Sequence, residues 1–204
     1  MRKRIFAAFY SRVEPRMRQQ TAPYRRRLVE GLTGRVLEIG CGPGSNFEYY
    51  DRSATVTATD YSEHMLKRAR EAATTASASV AVEHADVMNL PFEDASFDAA
   101  VCALVLCSVP DQARALAELQ RVLRPGGELR IFEHVRSDRR WVAAVQRIAT
   151  PLWRIPMDGC HLDRDTERSV REAGFAVTSS ERLSLEMAHV LVSANSPGEP
   201  ADQR

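Results

Sequence analysis

The chain has 204 residues, 44% of them hydrophobic and 27% charged, with a net charge of +1 at pH 7. This length and apolar content suit one globular domain with a sizeable core. The near-zero net charge argues against a general nucleic-acid-binding protein, and no apolar run approaches the ~20 residues of a transmembrane helix. The arginine-rich beginning does not match a signal peptide.

The cysteines are few and scattered: Cys41, Cys102, Cys107 and Cys160. They show neither Cys-x-x-Cys spacing nor the density of a disulfide-rich secreted domain, so reduced thiols in a cytoplasmic protein are predicted. Cys102 and Cys107 lie in an apolar run, which favours burial. No cluster with zinc-ligand spacing stands out, so no metal site is predicted from the sequence.

The N-terminal stretch is basic and amphipathic. Residues 1–30 carry nine Lys and Arg against two Glu, a net charge of +7, which leaves −6 for the rest of the chain. Residues 5–30 are predicted to be helical, with Pro15 and Pro23 dividing the helix. Two interpretations stay open: helices that pack on the domain as a lid, or a surface that contacts a membrane.

A glycine loop follows the first predicted strand. The run Val36–Ile39 is short and apolar, which is typical of a buried parallel strand. Glycines at positions 40, 42 and 44 come directly after it, allowing a sharp turn and the close approach of a ligand. Residues 45–51 are predicted to start a helix whose free N–H groups face the same space.

An acidic residue ends the second predicted strand. The strand covers residues 54–59, and Asp60 follows, twenty residues beyond Gly40. A carboxylate at the tip of the neighbouring strand is placed to accept hydrogen bonds from both hydroxyls of a ribose. Together the two features indicate a site for a nucleoside cofactor.

Helices and strands alternate through the rest of the chain. Helices are predicted over residues 62–73, 111–123, 141–148 (broken at Thr150-Pro151) and 163–173. Strands are predicted over residues 80–83, 99–106, 128–132, 175–179 and 189–193, the last one antiparallel. Residues 124–127 are predicted as a turn, and the polar residues 195–204 as a disordered tail.

Four strings resemble class I S-adenosylmethionine (SAM) methyltransferases: EIGCGPG from Glu38, DYSEHML from Asp60, LPFEDASFD from Leu90 and RVLRPGG from Arg121. The resemblance implies an α/β fold: a Rossmann-like seven-stranded sheet with helices on both faces and a cap between strands 5 and 6. Residues 1–30 would be the lid helices, 31–194 the methyltransferase domain and 136–173 the substrate cap.

The same resemblance implies SAM as the methyl donor and S-adenosylhomocysteine as the product. Asp86 would accept a hydrogen bond from the adenine amino group, and Met65 would lie against the ring or be a core residue. The cofactor residues expected are Glu38, Gly40, Cys41, Gly42, Gly44, Asn46, Asp60, Tyr61, Met65, Asp86, Val87 and Leu104.

Three further strings, LVLCSV (104–109), FEHV (132–135) and MDGCHLDRDT (157–166), resemble the methyltransferase-like-7 thiol methyltransferases. They imply S-methylation of a small-molecule thiol. Two alternatives stay open: methylation of oxygen, nitrogen or carbon in another metabolite, such as a quinone precursor or a phospholipid amine, and a non-enzymatic SAM-binding module. No Asn-Pro-Pro-Tyr string follows the fourth strand, which argues against nucleobase or protein-glutamine methylation.

The acceptor side is predicted less completely. A thiol with a pKa of about 8.5 needs a modest base, and histidine suits that task. His134, at the end of the fifth strand, is the first candidate and His161 the second. The other substrate residues expected are Tyr10, Cys107, Asp158 and Arg164. The oligomeric state stays open.

Overall fold

The computed structural model describes residues 17–155, 157, 159–184 and 187–198. The strands are β1 (Gly34–Ile39), β2 (Ala54–Asp60), β3 (Ser79–His84), β4 (Phe97–Ala103), β5 (Leu123–His134), β6 (Ala176–Ser184) and β7 (Ala188–Asn195). The helices are α1 (17–29), α2 (Glu63–Ala73), α3 (Gln112–Val122), α4 (Arg140–Trp153) and α5 (Thr166–Glu172), with a short 3₁₀ helix over Phe47–Tyr49. No helix within these residues is long and apolar enough to cross a membrane.

The seven strands form one sheet in the order β3-β2-β1-β4-β5-β7-β6. Strands β1 to β5 run parallel to one another, and β7 runs antiparallel to its neighbours β5 and β6. Strands β2 and β3 lie on one side of β1, whereas β4 and β5 lie on the other, so the strand order switches direction between β1 and β4. In open α/β sheets ligands bind outside the carboxyl ends of the strands at such a switch point.

Helices cover both faces of the sheet. On β1, Val36 and Leu37 point to opposite faces and are both fully buried. Leu37 joins the apolar cluster that contains residues of α3 and α5, whereas Val36 joins the one that contains residues of α1 and α2. The α/β fold class predicted from the sequence, with its antiparallel last strand, is therefore confirmed.

Several predicted element boundaries were wrong. Pro151 does not break α4, which runs to Trp153, and the Thr150 hydroxyl donates to the Gln146 carbonyl in this turn. Pro23 likewise lies within the continuous helix α1. Residues 45–51 form turns and the 3₁₀ helix, not the start of an α-helix.

Two other corrections concern the second half of the chain. Helix α5 begins at Thr166 and not at residue 163, because the Asp165 side chain accepts a hydrogen bond from Arg168 N and caps the helix there. Residues 124–127 belong to β5 and not to a turn, with a register irregularity opposite Phe97 and Ala99. Strand β7 also includes Asn195, the first residue of the predicted tail.

Candidate active site

The glycine loop turns sharply between β1 and the 3₁₀ helix. Gly40, Gly42 and Gly44 have φ values of +57°, +56° and +83°, a region that side chains disfavour. A Cβ atom at Gly40 would collide with Val105, and one at Gly44 with Phe47. A Cβ atom at Gly42 would meet nothing within 4 Å, so the loop presents bare backbone to open space. This arrangement fits the close approach of a nucleoside cofactor.

Asp60, at the carboxyl end of β2, is tied to that loop. Its Oδ2 accepts a hydrogen bond from Gly42 N at 2.9 Å, and its Oδ1 accepts one from Ser62 N at 2.8 Å. A carboxylate offers about four lone-pair sites, and a ribose diol is a donor pair that such a group accepts well. The position and the chemistry of Asp60 therefore fit its predicted contact with a ribose.

Glu38 and Asn46 lie beneath the loop in a buried network. Glu38 accepts hydrogen bonds from Asn46 Nδ2 at 3.0 Å and from the Tyr50 hydroxyl at 2.8 Å. Arg25 of α1, also buried, donates to Asn46 Oδ1 at 2.8 Å. Burial raises the pKa of Glu38 to about 7, although both hydrogen bonds oppose the shift. Glu38 thus supports the loop from behind, and sequence reasoning missed the roles of Arg25 and Tyr50.

The predicted adenine residues lie at the ends of β2 and β3. Asp86 Oδ1 accepts a hydrogen bond from Met88 N at 2.9 Å, which closes a turn. Met65 of α2 is buried, whereas Tyr61 is exposed and its ring tilts against His84 at 5.6 Å. Val87 packs on the edge of the core. Their contacts with adenine remain predictions.

Glu133 fixes the backbone of the segment that follows β4, residues 104–109. This buried carboxylate accepts hydrogen bonds from the backbone N–H groups of Val105 at 2.6 Å, Leu106 at 2.7 Å and Cys107 at 3.2 Å. Burial raises its pKa, and these hydrogen bonds oppose the shift. Leu104, just before them, has a φ of +62°, a conformation that costs a residue with a side chain roughly 1–2 kcal/mol. The hydrogen bonds to Glu133 hold this strained turn in place.

Arg164 holds the same segment from the carbonyl side. Its guanidinium donates hydrogen bonds to the carbonyl of Leu106 and, at 2.7 Å, to that of Val109. One planar group therefore ties the segment after β4 to the loop before α5. Arg164 was predicted as a substrate residue. The structure places two of its five N–H donors on backbone carbonyls, and its contact with a substrate stays a prediction.

Three soft side chains meet beside this segment. Cys107 follows β4, His134 ends β5 and Cys160 lies in the loop after α4; all three are buried. One ligand atom from each lies within 4.8 Å of the others, and Cys160 Sγ is 3.8 Å from His134 Nδ1. We call this group the Cys–His–Cys cluster. Its members are 27 and 26 residues apart in sequence, so no local motif predicted it.

The cluster favours a thiolate at Cys160. A hydrogen bond from the Cys107 thiol, assisted by His134, lowers the pKa of Cys160 to about 5, and the same hydrogen bond raises the pKa of Cys107. The ring of His189 lies 4.3 Å from that of His134. Burial and the neighbouring His134 lower the pKa of His189 to about 4. The His189 imidazole is thus held in a poorly solvated setting.

His161, the second predicted base, does not belong to the cluster. Its backbone N–H donates to the Cys107 carbonyl at 2.8 Å, while its ring Nδ1 lies 4.0 Å from Asp163 Oδ1. Burial, and secondarily the charge of Arg164, lowers the pKa of His161. Tyr10 and Asp158, both predicted to contact substrate, lie outside the described residues.

A wide cavity of about 750 Å³ lies beside α4 and not at the glycine loop. It is lined by Arg136, Ser137, Asp138, Arg140, Ala143, Ala144, Arg147 and Asp163. None of the predicted cofactor residues lines it. The candidate site is therefore identified from the residues at the strand ends and their hydrogen bonds, and this cavity is not part of it.

The chain resembles known methyltransferases in sequence. A family model described as "Methyltransferase domain" matches residues 37–131. Human thiol S-methyltransferase TMT1A is 32% identical over 203 residues, covering 93% of this chain and 83% of the human protein. Phosphatidylethanolamine N-methyltransferase of Cereibacter sphaeroides is 34% identical over 145 residues, 70% of each chain.

A solved structure agrees with the fold. A SAM-dependent methyltransferase from Methanosarcina mazei matches with a TM-score of 0.69, covering 82% of this chain and 94% of that one. Its sequence identity is 22%, so this likeness concerns the fold alone. The likeness therefore supports the overall architecture described above.

Proposed function

Because this chain belongs to the class I SAM-dependent methyltransferases, we propose that it transfers the methyl group to the sulfur of a small-molecule thiol. The observation that carries the proposal is the Cys–His–Cys cluster beside the segment that leaves β4. Human thiol S-methyltransferase TMT1A aligns over most of both chains, which supports the same acceptor class. Val105, two residues before Cys107, packs against the glycine loop at Gly40, so the cofactor and acceptor regions adjoin.

SAM, the cofactor of this family, supplies an activated methyl group on a sulfonium. The chain's own residues bind and orient: Asp60 offers its carboxylate to the ribose, and bare backbone at Gly42 leaves room for the nucleoside. Glu133 and Arg164 fix the segment on which the acceptor would lie. Orientation of this kind can supply roughly 7–11 kcal/mol of the barrier reduction in favourable cases.

The acceptor side suits a small thiol with an apolar substituent. Cys107, Cys160 and Leu162 form a buried apolar group, around which Trp153, Met157 and Met187 pack while remaining partly exposed. An apolar substituent would lie against these side chains, leaving its sulfur near the cluster. A thiol with a pKa of about 8.5 has only to lose one weakly held proton before transfer.

We assign activation of the acceptor thiol to the Cys–His–Cys cluster. His134 is the histidine of this cluster and was the first candidate from the sequence. His161 is the alternative because its backbone N–H donates to the Cys107 carbonyl and its ring lies beside Asp163. His134→Ala is expected to lower methyl transfer to thiols while leaving SAM affinity unchanged, and His161→Ala is expected to change neither. Loss of transfer in His161→Ala alone would make the assignment to the cluster wrong.

A second acceptor class is a phospholipid amine, favoured by the match to a phosphatidylethanolamine N-methyltransferase over 70% of each chain. A panel separates the two. The purified full chain is incubated with SAM and matched thiols, phenols, amines and quinols, and the methylated products are identified by mass spectrometry. We expect thioethers; turnover of amines or quinols with none of thiols would exclude S-methylation. A chain that binds SAM and methylates none of the panel would support a binding module instead.

A further inference from the structure

We propose that the Cys–His–Cys cluster binds a zinc ion whose fourth position is taken by the sulfur of the acceptor thiol. The inference rests on the proposed function for the identity of that fourth ligand, whereas the metal site itself rests on geometry. Two thiolates and one imidazole are ligands that Zn²⁺ prefers, and three protein ligands with one open position are typical of catalytic zinc.

The distances fit one ion. Zinc–sulfur and zinc–nitrogen bonds of about 2.3 and 2.0–2.1 Å imply a tetrahedral sulfur-to-nitrogen edge of about 3.6 Å. Cys160 Sγ and His134 Nδ1 are 3.8 Å apart, and the three ligand atoms all lie within 4.8 Å of one another. The Cys160–His134 pair therefore lies within a few tenths of an ångström of the tetrahedral edge. The other two pairs, at no more than 4.8 Å, would have to close by at most about 1.2 Å. Cys107 and Cys160 are both free thiols, so no disulfide occupies the place.

The surroundings hold the ligands in position. The backbone N–H of Cys107 donates to Glu133, the residue that precedes His134 on β5. The ring of His189 lies against His134, which restricts the orientation of that ligand. Such contacts around the ligands orient them and tune the metal. The indole Nε1 of Trp153, which packs on the cluster, is buried with no hydrogen-bond partner among the described residues. A thiolate sulfur would satisfy that donor.

Charge also balances. Cys107 and Cys160 both bind as thiolates, and two thiolates neutralise Zn²⁺ in a buried site where a net charge is costly. The acceptor R–SH binds as R–S⁻ and releases its proton to water. The negative charge that it adds is matched by the positive charge of the SAM sulfonium, and both charges disappear when the methyl group is transferred. Its sulfur electron pair then forms a bond to the methyl carbon, while the bond from that carbon to the sulfonium breaks. The departing pair stays on the sulfur of S-adenosylhomocysteine, and zinc keeps its oxidation state.

Cobalt(II) provides a direct test, because thiolate–cobalt bonds absorb light in the near ultraviolet. The full chain is reduced, treated with a chelator and titrated with Co²⁺. We expect one Co²⁺ per chain with thiolate-to-cobalt absorption. Adding benzyl mercaptan without SAM should raise that absorption roughly 1.5-fold, as sulfur ligands increase from two to three. Benzyl alcohol, the matched oxygen compound, should not.

Variants identify the ligands. Loss of a contact around a metal ligand already costs roughly 10–100-fold in affinity, so Cys107→Ser, Cys160→Ser and His134→Gln should each weaken Co²⁺ binding by more than about 100-fold. Cys102→Ala is the matched control. Its thiol is buried and contacts Glu133 at 3.3 Å but lies outside the cluster, so Co²⁺ binding should be unchanged.

The outcomes separate the two proposals. Reduced wild-type protein that binds no Co²⁺, or Co²⁺ binding that survives loss of a cluster residue, overturns the metal site. If chelator-treated protein methylates thiols at the full rate without metal, the proposed role of the metal in methyl transfer is wrong. The proposal that the acceptor is a thiol would still stand. Co²⁺ bound at the cluster, with no thiol ever methylated, preserves the metal site and contradicts the proposed function.

Discussion

The proposed cofactor half and the proposed acceptor half of this molecule are built in different ways. The cofactor half is contiguous: β1, the glycine loop and β2 supply Glu38, Gly42 and Asp60 within 23 residues. The acceptor half is assembled from the ends of β4 and β5 and a loop after α4. Local motifs reveal the first kind of site, whereas only the fold brings the second kind together. A buried carboxylate lies in each half, Glu38 in the cofactor half and Glu133 in the acceptor half. The same Glu→Gln substitution can therefore be made in both halves and its effects on stability compared.

The largest effect is expected at Glu133, on which the acceptor half depends. Glu133→Gln replaces a carboxylate that accepts three backbone N–H groups with an amide whose NH₂ must face some of them. We expect the free energy of unfolding in urea to fall by about 3 kcal/mol or more. Glu128→Gln, on the same strand and paired with Arg130, is the control and should cost less than about 1 kcal/mol. Equal losses would show that Glu133 has no special role.

Glu38 makes the stability of the cofactor half depend on pH. Its folded-state pKa of about 7 lies above the ordinary value of 4.5, so the folded state binds the proton more tightly than the unfolded state. This contribution is fully present below pH about 4.5 and is lost as the pH rises through about 7. From pH 5 to 8 the wild type should lose up to about 3 kcal/mol relative to Glu38→Gln. Parallel stability curves for the two proteins would contradict this account.

Asp60 tests the cofactor half by ligand binding. Asp60→Ala removes the carboxylate that faces the glycine loop at the tip of β2, and with it a charged acceptor for the ribose hydroxyls. We expect titration calorimetry to show SAM affinity weaker by roughly 1–3 kcal/mol. Asp51→Ala, just before the other end of β2, should leave the affinity unchanged. An unchanged affinity in Asp60→Ala would mean that Asp60 does not hold the ribose.

Arg164 gives the smallest and most selective effect. Arg164→Lys leaves one ammonium where a planar group bridges the carbonyls of Leu106 and Val109. Losing one of these hydrogen bonds should weaken acceptor binding by about 1–2 kcal/mol, seen as a higher KM for the thiol at unchanged SAM affinity. Arg168→Lys, an exposed arginine on α5, is the control. A change in SAM affinity without a change in acceptor KM would contradict the placement of Arg164 in the acceptor half.

The same division explains what the sequence could predict. The alternation of strands and helices was predicted from periodicity and from glycine and proline positions, and the fold class from the resemblance to class I methyltransferases. The sheet confirms the fold class. Boundaries failed where a tertiary contact decided them: Asp165 starts α5 by capping it, and α4 continues through Pro151. Such contacts leave no periodic signal in the chain.

The acceptor site was predictable residue by residue but not as a group. Cys107, His134 and Arg164 were each predicted as site residues, whereas Cys160 was not. The meeting of Cys107, His134 and Cys160 depends on strand order and on the path of the loop after α4. Glu133 was missed as well, because its role is to bind backbone N–H groups from a different strand end.

The most direct test of the account is a crystal structure of the full chain with S-adenosylhomocysteine and a short thiol. We predict that the nucleoside lies between the glycine loop and Asp60, with its sulfur directed toward the segment after β4 and the Cys–His–Cys cluster. The thiol sulfur should lie at that cluster, in line with the vacant methyl position. A nucleoside bound elsewhere, or a sulfur directed away from the cluster, would contradict the account.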